Sequence, residues 1–192
     1  MAFSTIDGQM KAYRVNLGEA RWKLLFFISI PLTVVITSLL YQPLAITIYR
    51  IREPHFSSPI KGKPASLIIR NDVMGEGDFG TKRQKGRSHA GVDILAPVGA
   101  YVYAAKSGIA FCANFPRGYG KHIMIYHPDG FQSIYAHLSN WAVISAKKVR
   151  RNKLIGFVGK TGNASARSIE PHLHFEIIKD GVPQNPHDLM RR

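Results

Sequence analysis

Pro171-His172-Leu173-His174-Phe175-Glu176 alternates apolar and polar side chains. Successive side chains of a β-strand point to opposite faces, so this stretch predicts a strand with two histidines and Glu176 on one face and two apolar residues on the other. The apolar face suits a hydrophobic core, and two histidines placed in this way can converge on one metal ion or on its bound water. A surface strand with solvated histidines has the same pattern, so the interpretation depends on residues elsewhere in the chain.

A second cluster lies far upstream, at Ser88-His89-Ala90-Gly91-Val92-Asp93. Only small or apolar residues separate His89 from Asp93, and we expect Gly91 to let the backbone turn so that both side chains face one ion. With one strand histidine they supply three nitrogen and oxygen ligands, as in catalytic zinc sites that leave the fourth position to water. Cys112 is the only cysteine, which excludes an intramolecular disulfide and a cysteine-based zinc site.

A third segment, Tyr135-Ala136-His137-Leu138, places another histidine at the end of a predicted strand, where catalytic groups tend to lie. The four histidines and one aspartate divide into three ligands and two unligated imidazoles. Imidazoles beside a metal-bound water can orient it and move protons, which contributes about 10²–10⁴-fold in rate. Periodicity alone does not distinguish His172 from His174 as the ligand.

The composition indicates one globular domain with a strong positive charge. The chain has 192 residues, enough for one domain with a sizeable core. It carries 26 Lys and Arg against 12 Asp and Glu, a net charge of +14, which favours nucleic acid, anionic lipid or an anionic wall polymer as partner. The basic clusters at 82–87 and 147–153 contain no aromatic residues that could stack on nucleic-acid bases, so we expect no nucleic-acid partner.

An uncharged segment runs from Leu24 to Tyr49. Its most apolar part, Leu24 to Tyr41, spans about 27 Å as a helix, close to the ~30 Å core of a bilayer. A cleaved signal peptide is the nearest alternative, but the leader is long, the run exceeds about 7–15 residues and no small-residue cleavage site follows. We therefore expect an uncleaved transmembrane anchor rather than a signal peptide or a buried core helix.

The chain divides into four predicted parts. Residues 1–23 form a short N-terminal segment, 24–49 the anchor, 50–65 a proline-rich linker and 66–192 a β-rich domain. Short β-prone runs separated by turn residues predict an antiparallel sandwich or open barrel. The runs are Ser66–Arg70, Val92–Leu95, Ala100–Ala104, Gly108–Ala113, His122–His127, Phe131–His137, Leu154–Val158 and His172–Ile178.

Three motifs resemble those of the lysostaphin/LytM-type zinc metalloendopeptidases, the duplicated-hybrid-motif family that cleaves peptide cross-bridges of peptidoglycan. The segments at 93–99, 118–120 and 155–162 also match the order and spacing of that family, and the resemblance covers about residues 55 to 190. The three motifs are His89-x-x-x-Asp93, Tyr135-Ala-His137-Leu138 and Pro171-His172-Leu-His174-Phe-Glu176.

The resemblance implies a mainly β fold with one Zn²⁺ per chain at the floor of a groove. It implies that the zinc ligands are His89, Asp93 and His174. It also implies that the catalytic, unligated histidines are His137 and His172.

The rim of the groove is expected to be specific to this chain. Tyr119 is expected to line the substrate groove, with packing against the domain as the alternative. Lys121 stands where the family usually has Asn after Gly-Tyr-Gly, so the local turn is expected to differ. The linker before the domain shows no segment resembling the inhibitory pro-segment of LytM.

The predicted function is that of a membrane-anchored zinc endopeptidase acting on peptidoglycan stem peptides or cross-bridges. The main alternative is a non-catalytic LytM-like activator or scaffold for other wall enzymes, because some members of the family have lost ligands. All five family positions are occupied here, which favours the enzyme. A lipoyl- or biotinyl-like carrier domain would leave the histidine set without a role.

Charge does not orient the anchor, because four basic residues precede it and four follow it. Peptidoglycan lies outside the cytoplasm, so the substrate sets the expected topology. We expect a single-pass protein of the bacterial cytoplasmic (inner) membrane with its catalytic domain outside and with cell-envelope partners that the sequence does not identify. The basic residues are Lys11, Arg14, Arg21 and Lys23 before the anchor, and Arg50, Arg52, Lys61 and Lys63 after it.

Overall fold

A computed structural model describes residues 2–6, 9–13, 17–61, 67–73, 75–83 and 86–190. The chain divides into two compact units, residues 1–48 and 49–192. The described residues combine one long N-terminal helix with mainly antiparallel β-structure, which confirms the predicted fold class. Parts of the predicted N-terminal segment and linker, residues 1, 7–8, 14–16 and 62–65, lie outside the described residues.

The longest element is helix α1, Leu17–Arg52, which contains Pro31 and Pro43. Every side chain from residue 21 to residue 44 is exposed, although most are apolar. The Thr33 and Thr37 hydroxyls each donate to a carbonyl oxygen one turn back, at 2.8 Å, so these polar groups are satisfied within the helix.

One helix in the described part of the chain is long and apolar enough to cross a membrane. It comprises Arg21–Arg52 and has a mean hydropathy of 2.3 in its apolar window. An N-terminal signal sequence can also be long and apolar enough to meet this criterion, so the property supports either a membrane span or a signal.

Nine strands of the described domain form one sheet. Strands β10, β7, β8, β9, β11 and β6 follow one another in that order, β12 pairs with β9, β5 and β13, and the hairpins β1–β2 and β3–β4 are separate. The strands are β1 Ala2–Ile6, β2 Gln9–Tyr13, β3 Asn71–Asp72, β4 Gly75–Glu76, β5 Val92–Leu95, β6 Tyr101–Tyr103, β7 Gly108–Asn114, β8 Lys121–Tyr126, β9 Phe131–Trp141, β10 Lys147–Val149, β11 Leu154–Val158, β12 His172–Lys179 and β13 Val182–Gln184, followed by helix α2 Pro186–Leu189.

Strand β9 is the longest strand and holds the two halves of the sheet together. One of its edges pairs with β8, while the other pairs with β12 through residues 131–136 and with β11 through residues 138–141. Strand β12 also pairs with β5, so His174 lies opposite both Asp93 and Ala136. The register therefore brings together segments that are far apart in the sequence.

The alternation predicted for β12 is present. Leu173 and Phe175 are fully buried in the core, where the Phe175 ring lies 5.2 Å from that of Tyr135. The polar face of the strand is also buried, with Glu176 only 2% exposed. A solvated surface strand is therefore excluded for this segment.

Some short strands differ from the sequence prediction. Residues 67–70 form no strand, only an isolated bridge from Ile69 to Ile94, and Ser66 lies outside the described residues. Strands β10 and β13 were not predicted, because three-residue runs that contain lysine or proline have little β-pattern of their own. Each forms because a longer strand, β7 or β12, offers it a free edge.

The first part of the predicted linker packs on the domain. Phe56 is 4% exposed, and its ring meets those of His127 and Phe131 edge-on at 5.4 and 5.6 Å. The Glu53 carboxylate accepts hydrogen bonds from the Ser107 backbone N–H at 2.8 Å and from the Ser107 hydroxyl at 2.5 Å. Residues 53–56 therefore belong to the fold of the domain.

Candidate metal centre

Three side chains predicted as zinc ligands meet where β5 pairs with β12. Asp93 Oδ1 lies 2.7 Å from His174 Nδ1 and 3.2 Å from His89 Nε2, and these two ring nitrogens are 3.0 Å apart. All three residues are buried. Among the described residues they form the one group suited to a metal ion, with ligand atoms within 4.8 Å of one another.

The geometry of this group fits a tetrahedral zinc ion. Bonds of about 2.0–2.1 Å from zinc to nitrogen or oxygen place neighbouring ligand atoms of a tetrahedron about 3.3 Å apart. The observed separations of 2.7, 3.0 and 3.2 Å are close to that value. Three ligands leave one corner of the tetrahedron for water or substrate, as in catalytic sites.

The outer ring nitrogens show which nitrogen of each histidine faces the group. His89 Nδ1 lies 2.9 Å from the Asp78 carbonyl oxygen, and His174 Nε2 lies 2.7 Å from a Glu176 carboxylate oxygen. Both nitrogens donate, because these oxygens only accept. His89 Nε2 and His174 Nδ1 are thus the atoms that can bind a metal, an arrangement typical of metal-binding histidines.

The charges in this group depend on one another. Burial by itself lowers the pKa of His174, but its hydrogen bonds to Asp93 and Glu176 prevail and raise that pKa to about 9. Burial likewise acts to raise the pKa of the Asp93 carboxyl, but the hydrogen bond from His174 and the adjacent His89 ring hold it well below its usual range. Without a metal, His174 therefore carries a second proton, which a bound cation displaces.

Two arginines hold the other oxygen of the Asp93 carboxylate. Arg70 Nη2 lies 2.9 Å and Arg83 Nη2 lies 3.2 Å from Asp93 Oδ2, and Arg70 also pairs with Asp72. They fix the carboxylate so that Oδ1 faces the histidines. Neither arginine was predicted as a partner of Asp93, and the one signal in the sequence is Arg70, two residues before Asp72 in a β-prone run.

Tyr119 and Glu176 support the third ligand. The Tyr119 hydroxyl donates to Glu176 Oε1 at 2.8 Å, and the Tyr119 ring stacks on that of His174 with centroids 5.7 Å apart. Glu176 is therefore a buried partner of His174 and not a solvated carboxylate. Tyr119 lies directly beside the metal-ligand group. That it lines a substrate groove stays a prediction.

The two remaining histidines lie against the ligand group. The His137 ring centroid is 5.1 Å from that of His172 and 5.7 Å from that of His174. His137 Nδ1 donates to the Thr161 carbonyl at 2.9 Å and His172 Nδ1 to the Glu170 carbonyl at 2.6 Å. Burial lowers the pKa of both rings, that of His137 to about 3, so each is neutral at pH 7 with an unprotonated Nε2.

Two backbone features place these residues. His137 has a φ of 62°, a left-handed conformation that is rare outside glycine and tolerated by asparagine. Gly91 was expected to provide a turn, but it does not have a positive φ. Its role is close approach, because a Cβ at position 91 would collide with the Phe175 carbonyl oxygen on β12.

Two further buried histidines of the described domain lie outside the metal-ligand group. His122 is buried beside Tyr119 and bonds the Gly120 carbonyl at 2.9 Å, and His127 is buried below Phe56. Neither belongs to the metal-ligand group. Lys121, which departs from the family pattern, donates to the Ser139 carbonyl at 3.0 Å and lies over the Trp141 ring.

Sequence relatives share the region that contains the five predicted metal-binding and catalytic residues. The model of peptidase family M23 matches residues 87–186. Over 100 residues the chain is 42% identical to the DD-carboxypeptidase/endopeptidase Mpg of Neisseria meningitidis, which covers 52% of this chain and 22% of that protein. Over 143 residues it is 32% identical to the murein hydrolase activator NlpD of Salmonella dublin, which covers 70% of this chain and 34% of that protein.

Solved structures share the fold. A zinc-containing peptidase from Vibrio cholerae has 27% identity and a TM-score of 0.57, covering 69% of this chain and 39% of that chain. The catalytic domain of lysostaphin from Staphylococcus simulans has 27% identity and a TM-score of 0.53, covering 65% and 92% respectively. The chain thus matches at most about a third of the length of these two sequence relatives. It matches nearly all of the lysostaphin catalytic domain.

Proposed function

The chain belongs to peptidase family M23, and we propose that it is a zinc-dependent endopeptidase that hydrolyses peptide bonds in the stem peptides or cross-bridges of peptidoglycan. The observation that carries this proposal is the group of three ligand atoms, with two neutral imidazoles packed against it. The name of a further relative, the peptidoglycan DD-endopeptidase ShyC of Vibrio cholerae, supports the substrate class.

In this proposal His89 Nε2, Asp93 Oδ1 and His174 Nδ1 hold one Zn²⁺. The ion supplies Lewis acidity and lowers the pKa of a water molecule that it binds. Arg70 and Arg83 keep the Asp93 carboxylate ionised and oriented. Burial of all three ligands keeps bulk water away from the reacting groups, where electrostatic interactions are then stronger.

His137 and His172 move the protons. Each is tied by Nδ1–H to a backbone carbonyl, so each can accept a proton at Nε2. One Nε2 takes the proton of the attacking water as its oxygen bonds to the scissile carbonyl carbon, and this proton is passed to the amide nitrogen as the C–N bond breaks. The second imidazole can stabilise the negative charge that develops on the carbonyl oxygen once its Nε2 has taken up a proton that it can donate to that oxygen.

The apolar helix supports membrane anchoring. We propose that residues 24–49 span the cytoplasmic membrane, that residues 1–23 are cytoplasmic and that the peptidase domain, residues 66–192, faces the cell wall. The helix is long and apolar enough for this role, and the substrate lies on the outer side of that membrane.

Three variants test the roles of the residues. His89→Ala and Asp93→Ala are expected to abolish stoichiometric zinc in the purified chain. His137→Asn is expected to retain zinc and lose hydrolysis of cross-linked peptidoglycan by 100-fold or more, and asparagine suits the left-handed backbone at this position. Zinc retention by His89→Ala, or full activity of His137→Asn, would contradict the assignment.

A second candidate function is that of an activator of other wall hydrolases, favoured by the match to NlpD over 70% of the chain. The two functions differ in what the purified chain does alone. An enzyme releases peptide fragments from isolated peptidoglycan without a second protein, whereas an activator releases none until a wall hydrolase is added. Loss of activity on chelation is expected for the enzyme only.

A further inference from the structure

A row of apolar side chains leads across the sheet from the metal centre. Glu176 on β12 pairs with Ile134 on β9, Ile134 with Met124 on β8, and Met124 with Phe111 on β7. Residues paired directly across neighbouring strands share one face of the sheet. Phe111 and Met124 therefore lie on the face that carries His174 and Glu176.

These side chains belong to an open groove of about 560 Å³, which we call the aromatic strip. Phe111, Phe115 and Tyr126 are 42%, 55% and 45% exposed, although they are large and mostly apolar. Contiguous exposed apolar surface of this kind usually marks a binding site. The residues that line the strip are Phe111, Ala113, Phe115, His122, Met124 and Tyr126.

Ring contacts connect the aromatic strip to the metal centre. The Phe115 ring lies 5.2 Å from that of His122, and the His122 ring lies 5.4 Å from that of Tyr119. Tyr119 in turn stacks on His174. His122 is only 4% exposed, so a ligand at the metal centre would reach the aromatic strip over the Tyr119 and Phe115 rings.

We propose that the aromatic strip binds a sugar ring of the glycan strand while the stem peptide attached to that strand reaches the metal centre. This inference rests on the proposed function. From β12 to β7 there are three strand spacings of about 4.8 Å, so Phe111 lies about 14 Å across the sheet from Glu176. A four-residue stem peptide in extended form spans about 13–14 Å, which matches that distance.

The chemistry of the aromatic strip suits a sugar better than a peptide stem or a lipid surface. Stem peptides carry carboxylates and amines, and the strip has no acidic or basic side chain apart from His122 to pair with them. A pyranose presents a face of C–H groups that packs on aromatic rings, whose faces are electron-rich, while its hydroxyls stay in water. A bilayer on this face would cover the metal centre.

The test is binding of the full chain, in detergent, to glycan strands from which an amidase has removed the stem peptides. Titration calorimetry gives Kd for the unmodified chain, for Phe111→Ser and Phe115→Ser, and for the double variant Phe111→Ser/Tyr126→Ser. We expect Kd to rise at least tenfold in the double variant. The matched control is Tyr101→Ser, which removes a ring that is 58% exposed on β6 and is expected to leave Kd unchanged.

The result is separable from hydrolysis. Glycan binding is expected to persist in chelator and in His89→Ala, so it stands or falls independently of the endopeptidase activity. In the active chain, the double variant is expected to lose activity on intact peptidoglycan but not on cross-linked peptides that carry no sugar. Equal Kd for the double variant and the unmodified chain, or no binding of the unmodified chain to glycan strands, would overturn the inference. So would a double variant that binds glycan strands normally and has lost only its binding to phosphatidylglycerol vesicles.

Discussion

At the scale of single residues, each candidate ligand is held by a second residue. Asp78 fixes His89, Arg70 and Arg83 fix Asp93, and Glu176 fixes His174. Groups that orient metal ligands typically change metal affinity 10–100-fold when they are altered. These contacts therefore predict measurable effects of residues that do not touch the metal.

Glu176→Gln is expected to weaken zinc binding by about 10–100-fold. The amide oxygen can still accept a hydrogen bond from His174 Nε2. The negative charge of the carboxylate, which makes His174 Nδ1 a stronger metal ligand, is lost. Competition with a chromogenic chelator measures the affinity in the full chain. Tyr119→Phe removes one hydrogen bond to the same carboxylate and is expected to have a smaller effect, and equal affinities of all three chains would contradict this role of Glu176.

The sequence predicts candidate ligands but not their supports. Spacing and residue type mark His89, Asp93 and the His172/His174 pair, and the resemblance to the zinc endopeptidases selects His174 from that pair. Arg70 and Arg83 contact Asp93 through tertiary packing, and isolated arginines have no periodicity that would mark them. The left-handed backbone of His137 was likewise unpredictable, because local sequence rarely reveals strain that the surrounding fold imposes.

At the scale of elements, a buried polar chain lies beneath the turn between β8 and β9. His127 Nδ1 donates to the Ser107 carbonyl at 2.9 Å, and its Nε2 lies 2.9 Å from the Ser133 hydroxyl, which lies 3.0 Å from that of Tyr135. Burial lowers the pKa of His127 to about 4, although Asp129 and Glu53 act to raise it. His127 is therefore neutral in the folded domain at pH 7.

This network predicts that the free energy of unfolding falls between about pH 6.5 and pH 4. Below about pH 6.5 the unfolded chain binds a proton at residue 127 and the folded chain does not, which costs up to about 3 kcal/mol by pH 4. Urea unfolding at pH 7, 5.5 and 4.5, in chelator so that zinc plays no part, measures it. His127→Gln is expected to make the pH dependence less steep but not to abolish it, because burial also lowers the pKa of His137 and His172. The control His187→Gln is expected to leave it unchanged, whereas parallel curves for His127→Gln and the unmodified chain would refute the role of His127.

Strands whose own residues alternate between polar and apolar were predicted from the sequence. Strands that form only by pairing with a neighbouring strand were not. Strand β12 was predicted because its alternation is strict over residues 172–177, which are buried on both faces. Strands β10 and β13 have three residues each, and they are strands only because β7 and β12 lie beside them. No local signal separates such residues from a loop.

At the scale of the whole molecule, the peptidase domain begins before its β-strands. Tyr49 donates from its hydroxyl to the Ser107 carbonyl at 2.8 Å, Glu53 binds the same residue, and Phe56 fills a place in the core. The sequence suggested a linker from residue 50 because prolines and serines are frequent there. Burial of the Phe56 ring removes a large apolar surface from water. It therefore stabilises residues 53–56 on the domain, although their composition is typical of a linker.

Phe56→Ala is expected to lower the free energy of unfolding by about 3–5 kcal/mol, because it leaves a cavity in a core that contains His127 and Phe131. Ile68→Ala is the matched control, since this side chain is 67% exposed and its loss is expected to change stability by less than about 0.5 kcal/mol. Urea unfolding of the full chain in detergent measures both. Equal stabilities would mean that residues 53–56 are a linker after all.

The central claim is that this chain, loaded with zinc, cuts peptide bonds in peptidoglycan. The decisive measurement is mass spectrometry of the fragments that the purified full chain releases from isolated peptidoglycan, with and without a chelator. New amino and carboxyl termini at peptide bonds of the stems or cross-bridges are expected with zinc and not with chelator. Identical fragment profiles in the presence and absence of the protein would contradict it.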